Sequence, residues 1–300
     1  MKTLKEILQM AQSRPNKKIA VACPEEHEVL EAIKEARHHN LAEFILFGDE
    51  QEIRQKMLDF EPGTFEGIEI VNVKGKEASC LEAVKAVSSG RAQVLMKGLV
   101  DTSIILKAVL NKEVGLRTDS ILSHVMIIEL PKFDRLIFLS DGAMNIDPDV
   151  EQLKQITINA VTMARSLHIS RPKVALISAV EKVNPKMPST LKCHAIYEMF
   201  ERGEIVRCDI LGPVALDIAL DKEAAKIKNI KNDVAGQADI LITPYIEVGN
   251  ALYKGWMFGC DGTKSAGIVM GAKAPIVLTS RADSPESKLY SIALSVLMEN

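Results

Sequence analysis

The chain has 300 residues, 47% hydrophobic and only 4% aromatic, with a formal net charge of −3 and a pI of about 6.1. This length predicts two domains, or one large one, with an aliphatic core. A nucleic-acid-binding surface would need a clustered basic excess, which the sequence lacks. No apolar stretch approaches the ~20 residues of a membrane span, and the charged N-terminus lacks the apolar centre of a signal peptide.

The cysteines indicate a reducing compartment. The sequence holds five of them, an odd number, and no two form a CxxC pair. In a chain of this size the pattern is typical of a cytoplasmic protein whose small thiols are buried.

The six histidines are scattered without HExxH or any other ligand spacing. We therefore expect no metal site.

Short apolar runs alternate with longer amphipathic segments along the chain. Strands are predicted at residues 18–23, 43–47, 68–73, 93–97, 124–129, 135–139, 173–179, 204–210, 239–243, 267–270 and 275–279. Helices are predicted at residues 25–37, 49–58, 77–89, 102–110, 148–167, 189–200, 213–220, 248–257 and 285–298. The alternation predicts an α/β fold with a mostly parallel sheet, and the turn at 130–135 predicts some antiparallel pairing.

The first candidate site lies between the fourth predicted strand and the helix that follows it. The strand ends at Lys97, and the helix begins at Thr102 and Ser103 after a glycine. Free N–H groups and hydroxyls at a helix start bind anions, and Lys107 lies one turn from Ser103 on the same face. An ordinary helix cap flanked by solvated lysines would have the same pattern. Arg117, in a later turn, is another candidate anion ligand.

Two further segments carry polar residues next to predicted strands. Asp141 and Asn145 follow one strand and precede a long helix. They point into a cleft, or they hold a turn through their own backbone bonds. Gly249 and Asn250 lead into a glycine-rich run, which fits either close backbone approach to a ligand or a flexible loop. Residues 259–265 fail the P-loop spacing, and no GxGxxG is present.

The most informative segment follows the last predicted strand. An apolar run stops at Ser280 and Arg281, and a helical pattern begins at Pro285. Ligands of open α/β sheets bind beyond the carboxyl ends of the strands, where a guanidinium makes a planar anion clamp. The alternative is a surface turn in which Asp283 or Ser284 caps the helix.

Taken together, these segments resemble the phosphate acetyl/butyryltransferase family, enzymes that move an acyl group between CoA and inorganic phosphate. The order and spacing of the segments are more specific than any single motif. The form Ser-Arg-Ala-Asp-Ser at the end is more similar to the butyryl branch. The resemblance is carried by Lys97-Gly98 through Ser103, residues 140–145, 234–239 and 249–254, and Ser280-Arg281.

The resemblance implies a two-domain α/β fold like that of isocitrate and isopropylmalate dehydrogenases, with mostly parallel sheets and the active site in the interdomain cleft. It also implies a discontinuous first domain, 1–118 plus 271–300, and a second domain, 119–270. The expected partners are acyl-CoA and phosphate as substrates, without nucleic acid or membrane. We expect no metal or redox cofactor, and a homo-oligomer.

The resemblance also assigns residues. Ser280 and Arg281 stand at the active-site Ser-Arg of the family. Lys107 stands where phosphotransacetylases have an arginine, so the charge is kept and the bidentate fork is lost. The family has an aspartate seven residues after the serine of its Ser-Arg pair, and in this sequence that position is Ser287. The local candidates for the base are therefore Asp283 and Glu286. The substrate-binding candidates are Lys97, Thr102, Ser103, Lys107, Arg117, Asp141, Asn145 and Asn250.

The implied activity is transfer of a short-chain acyl group, with butyryl preferred. The nearest alternative is a phosphate acetyltransferase. A dehydrogenase of the same fold would need Mg²⁺ carboxylates and a nicotinamide site, for which only weak candidates lie between Asp141 and Asp149. A non-catalytic acyl-CoA sensor is disfavoured by the intact Ser280-Arg281 pair.

Overall fold

The computed structural model of the chain describes residues 1–278 and 283–298. Ser280 and Arg281 therefore lie outside the described residues. The chain divides into two compact units. We call Lys5–Ser120 with Ala266–Asn300 the terminal unit, and Met1–Leu4 with Ile121–Ser265 the central unit. The domain boundaries implied by the resemblance stay a prediction.

In chain order, the described elements are α1 (Leu4–Gln12), β1 (Lys17–Ala22), α2 (His27–His38), β2 (Ala42–Gly48), α3 (Glu50–Met57), β3 (Glu69–Asn72), α4 (Lys76–Ser88), β4 (Val94–Lys97), α5 (Thr102–Val109), β5 (Ser123–Glu129), β6 (Ile137–Ser140), α6 (Val150–Ser166), β7 (Lys173–Ile177), α7 (Pro188–Glu201), β8 (Asp209–Val214), α8 (Leu216–Leu220), α9 (Lys222–Ile227), β9 (Ile240–Ile242), α10 (Ile246–Gly259), β10 (Lys264–Met270), β11 (Ile276–Val277) and α11 (Pro285–Leu297). This is a mixed α/β fold. Within the described residues, no helix combines the length and the hydropathy of a membrane-spanning segment.

The terminal unit is built on strands in the order β3-β2-β1-β4-β11-β10. Neighbouring strands are parallel except β10 and β11. The central strands β1 and β4 are almost wholly buried, as expected of near-continuous aliphatic runs covered on both faces. Val277 of β11 pairs in register with Met96 of β4. The carboxyl ends of these two strands therefore lie side by side.

The central unit contains strands in the order β5-β6-β9-β7-β8. The hairpin predicted at 130–135 is confirmed, because β5 and β6 pair antiparallel, with Ile128 opposite Ile137. The other neighbouring pairs are parallel. An aliphatic core that includes Leu139, Ala175 and Leu241 packs beneath helices α8 and α10. The carboxyl end of β6 leads directly into the loop that carries Asp141 and Asn145.

One predicted strand was wrong. The segment 204–210 was expected to be extended, but β8 begins only at Asp209 and runs on through Gly212 and Pro213. Proline removes a ladder donor and is confined to edge strands, and β8 is the last strand of its row. The helix predicted from residue 213 accordingly begins at Leu216, and α9 was not predicted.

Candidate active site

The turn after β4 is anchored on the end of β1. The N–H of Gly98 donates to Ala22 O at 2.8 Å, and the N–H of Leu99 donates to Cys23 O at 2.7 Å. A Cβ at Gly98 would lie 2.0 Å from Cys23 O, so only glycine permits this approach. The turn that precedes α5 is therefore fixed by main-chain contacts.

Lys97 is buried beneath this turn, with 6% of its surface exposed. Its Nζ donates to Gly98 O at 3.2 Å and to Val100 O at 3.0 Å. The ammonium thus braces the carbonyl groups that follow β4 and places a positive charge under the turn. Direct contact between Lys97 and substrate stays a prediction.

The other candidates of this region are exposed. Thr102 and Ser103 begin α5, whose N-cap Asp101 makes no side-chain capping bond, and Lys107 follows one turn later. Arg117 lies just after a loop closed by the N–H of Leu116 on Val109 O at 2.8 Å. In the part of the chain that the structure describes, the side chains of Thr102, Ser103, Lys107 and Arg117 have no hydrogen bond or ion pair. Two hydroxyls and two cations are therefore available to an anionic ligand in the terminal unit.

The segment that enters α11 holds the two predicted bases. Ser284 caps the helix by accepting the N–H of Ser287 at 3.1 Å, as the sequence allowed. Asp283 is half-buried. Glu286 is exposed, and its Oε1 accepts a hydrogen bond from the phenol of Tyr290 at 3.1 Å. The assignment of either carboxylate as the base stays a prediction.

Lys288 was missed by the sequence reasoning. Only 2% of its surface is exposed, and its Nζ donates to Asp283 O at 2.6 Å. Lys288 is the single charged residue in the run 288–297, whose other members are apolar except for two serines and a tyrosine, but no local pattern shows what packs around it. A lysine in such a helix is buried together with its neighbours unless its long side chain extends the ammonium to water.

In the central unit, Asp141 organises the loop between β6 and α6. Its side chain is 1% exposed. Oδ1 accepts the N–H groups of Ala143 at 2.8 Å and Met144 at 3.0 Å. Oδ2 accepts the N–H of His124 at 3.1 Å and Nδ2 of Asn145 at 2.6 Å. Of the two readings of Asp141, the structure therefore supports the one in which its carboxylate holds the turn.

The same loop is locked against the start of α10. Nδ2 of Asn250 donates to Gly142 O at 3.0 Å, and Oγ1 of Thr243 donates to Asp141 O at 3.0 Å. A Cβ at Gly249 would lie 2.5 Å from Asp141 O. The structure thus brings Asp141, Asn145 and Asn250 together. Their contact with substrate stays a prediction.

A cavity of about 230 Å³ opens beside the carboxyl ends of β1 and β2, lined in part by Cys23, Glu25, Lys76 and Leu99. Burial raises the pKa of the Glu25 carboxyl, although its Oε1 accepts the N–H of Asp49 at 2.8 Å. A hydrogen bond from the Cys80 thiol lowers the pKa of Cys23.

No group of three or more His, Cys, Asp or Glu among the described residues is arranged to hold a metal ion.

Known proteins resemble this chain over nearly its whole length. The model of a family described as "Phosphate acetyl/butaryl transferase" matches residues 2–82 and 78–296. Over 298 residues the chain is 46% identical to the phosphate butyryltransferase of Clostridium acetobutylicum, covering 99% of this chain and 98% of the relative. Over 294 residues it is 42% identical to the phosphate acetyltransferase of Thermotoga maritima, covering 98% and 99%.

Solved structures agree with these relatives. A branched-chain phosphotransacylase from Enterococcus faecalis V583 matches with a TM-score of 0.83 at 35% identity, covering 94% of this chain and 98% of that chain. A 4-hydroxythreonine-4-phosphate dehydrogenase from Klebsiella pneumoniae matches with a TM-score of 0.57 at 13% identity, covering 94% and 100%, a likeness of fold alone. The resemblance drawn from the sequence is confirmed: the chain belongs to the phosphate acetyl/butyryltransferase family.

Proposed function

We propose that this protein transfers a short-chain acyl group, with butyryl preferred, between CoA and inorganic phosphate. The observation that carries the proposal is a set of exposed groups on the terminal unit that have no side-chain partner among the described residues: Thr102, Ser103 and Lys107 at α5, and Arg117 beyond it. Their turn adjoins the end of β11, after which the family's Ser-Arg follows in the sequence. Hydroxyls and cations at a helix start suit a phosphate group.

The reaction forms one C–O bond and breaks one C–S bond. A phosphate oxygen attacks the thioester carbonyl, a tetrahedral oxyanion forms, and the CoA thiolate leaves as acyl phosphate is released. We assign phosphate binding to Lys107, Arg117 and the α5 start. Arg281 and Ser280 are proposed to stabilise the oxyanion, where fixed donors lower the barrier most. Holding both substrates in line supplies much of the remainder.

In the reverse direction the CoA thiol must lose a proton before it attacks the acyl phosphate. We propose Asp283 or Glu286 as the base. Asp283 lies just before α11, and Glu286 lies in its first turn, where it is exposed to solvent. Because a free thiol has a pKa of ~8.5, the need for a base is greatest below that pH.

The finer assignments are proposals of the same kind. We propose a two-domain fold like that of isocitrate and isopropylmalate dehydrogenases, with the active site in the interdomain cleft, on the strength of the family. We propose that no metal or redox cofactor takes part, because no step of the acyl transfer requires one. A cytoplasmic location is supported by cysteines that carry no disulfide, four of them buried.

We also propose that the protein is a homo-oligomer in which α10 meets the same helix of a second copy. Phe258 on this helix is 85% exposed, and Val248 is exposed as well. Nothing lies within 4 Å of a Cβ built at Gly255 or Gly259. In a twofold dimer the same surface patch serves both copies, so one exposed apolar face on this helix is enough for such a contact. Sedimentation velocity would test this, and a monomer at micromolar concentration would contradict it.

The experiment that tests the function follows thiol release from C2 to C5 acyl-CoAs, with and without phosphate, NAD and Mg²⁺. We expect thiol release to depend on phosphate and to be unaffected by NAD. Butyryl-CoA should be favoured over acetyl-CoA by about tenfold or more in kcat/KM, because one methylene is worth roughly 1–3 kcal/mol in an apolar pocket. Equal or faster turnover of acetyl-CoA would support the acetyltransferase. NAD reduction would support a dehydrogenase, and binding without turnover a sensor.

A further inference from the structure

Lys288 is a buried charge at the start of α11. Only 2% of its surface is exposed, and its neighbours from Leu289 to Leu297 are buried as well. Taking an ammonium out of water costs several kcal/mol unless it is paired. Across residues 1–278 and 283–298, no carboxylate forms an ion pair with Lys288. Among these residues, the Lys288 ammonium donates one hydrogen bond, to the carbonyl of Asp283 at 2.6 Å.

The location of this bond is specific. Side chains on a helix point back toward its N-terminus, so the Lys288 side chain reaches beyond the first turn of α11. Within that turn the main chain is already satisfied, because the N–H of Lys288 donates to Ser284 O and Ser284 Oγ accepts the N–H of Ser287, both at 3.1 Å. The Asp283 carbonyl lies outside this ladder. Lys288 therefore binds a carbonyl group that lies just before the helix.

Stability gives little reason to keep a lysine here. An apolar side chain of similar length would fill the same space without the cost of burying a charge, and such replacements are often neutral or stabilising. The hydrogen bond to the carbonyl of half-buried Asp283 offsets only part of that cost. A buried lysine at this point is therefore better explained by what it positions than by what it stabilises.

We propose that Lys288 is a positioning residue for acyl transfer, whose ammonium fixes the main chain at Asp283 and so holds the entry to α11 in its productive geometry. The proposal rests on the proposed function. The entry to α11 follows β11 in the sequence, and β11 pairs with β4, after which the buried Lys97 donates to Gly98 O and Val100 O. Two neighbouring strand ends are thus each followed by a carbonyl group held by a buried ammonium.

The test compares Lys288→Met with Ser295→Ala in the full chain. Ser295 is a wholly buried polar residue on the same helix, and within the described residues its Oγ donates only to Ile292 O. We expect Lys288→Met to keep or raise the urea midpoint and to lower kcat by about tenfold to 100-fold, as small misplacements do. The KM for butyryl-CoA should change less than about threefold. Ser295→Ala should keep wild-type kcat.

Amide hydrogen exchange provides a second readout that does not depend on turnover. The amides of Ser287 and Lys288 should exchange about tenfold faster in Lys288→Met than in the wild type, because the entry to α11 is no longer held. A wild-type kcat in Lys288→Met, or a loss of kcat shared with a loss of folding, would overturn the positioning role. Absence of acyl transfer in the wild type would instead contradict the proposed function, and the exchange experiment would still test the held main chain.

Discussion

The carboxylate of Asp141 accepts hydrogen bonds from four donors, three main-chain N–H groups and one side-chain amide. We expect Asp141→Asn to destabilise the protein by about 1–3 kcal/mol, since the new amide would direct its own N–H groups at these donors. Urea unfolding measures the change. The matched control is Asp147→Asn in the same loop, where an ion pair between the exposed Asp147 and the half-buried Lys192 predicts a loss of about 1 kcal/mol or less. Equal losses would show that the loop does not depend on Asp141.

Lys107 is exposed, and its side chain has no partner in the described part of the chain. Its proposed role is therefore to bind substrate and not to stabilise the fold. We expect Lys107→Met to raise the KM for phosphate about tenfold or more, because a charge-assisted hydrogen bond is worth roughly 1.5–3 kcal/mol. Thermal stability should stay unchanged. The control is Lys112→Met, an exposed lysine in the turn after α5. Phosphate KM values that are the same in both variants would remove Lys107 from the site.

At this scale the sequence predicted residue types better than residue roles. The exposed hydroxyls and cations of α5 were recognised, because their positions follow from helix periodicity. The role of Asp141 was left open, since a carboxylate after a strand serves a ligand or a turn equally well. Lys288 was overlooked because burial of a charged side chain depends on what packs around α11, which no local pattern contains.

Among the elements, α10 and the loop after β6 approach more closely than side chains permit. A Cβ at Gly249 would lie 2.5 Å from Asp141 O and 2.7 Å from Thr243 Oγ1. We therefore expect Gly249→Ala to destabilise the protein by about 1–3 kcal/mol. Gly255→Ala, on the same helix with open space around its Cβ, should stabilise it by about 0.5–1 kcal/mol. Urea midpoints that shift in the same direction would contradict this account of the contact.

The elements themselves were largely predictable from hydrophobic periodicity and turn residues. The strands β1, β2 and β4 were expected within a residue of their observed bounds, since each contains an unbroken apolar run of three or four residues. The prediction failed at β8, where Gly212 and Pro213 resemble a turn and only the position at the edge of a row of strands makes them tolerable. Edge position is a property of the assembled sheet, so local sequence does not reveal it.

For the molecule as a whole, the family follows from segments far apart in the sequence, and the relatives confirm it. The length of the preferred acyl chain does not follow from the family. Relatives named for butyryl and for acetyl transfer share 46% and 42% identity with this chain. Butyryl and acetyl groups differ by two methylenes, each worth roughly 1–3 kcal/mol in an apolar pocket, and identity over the whole chain does not reveal so local a difference.

The most direct test of the account follows the phosphorus. Purified protein is incubated with butyryl-CoA and inorganic phosphate, and ³¹P NMR records acyl phosphate while thiol release is measured in the same sample. We expect butyryl phosphate and free CoA to appear in equal amounts, and Arg281→Ala to slow both by about 100-fold or more without loss of folding, as removal of an oxyanion donor does. Thiol release without acyl phosphate, or an Arg281→Ala variant as active as the wild type, would contradict the proposed acyl transfer.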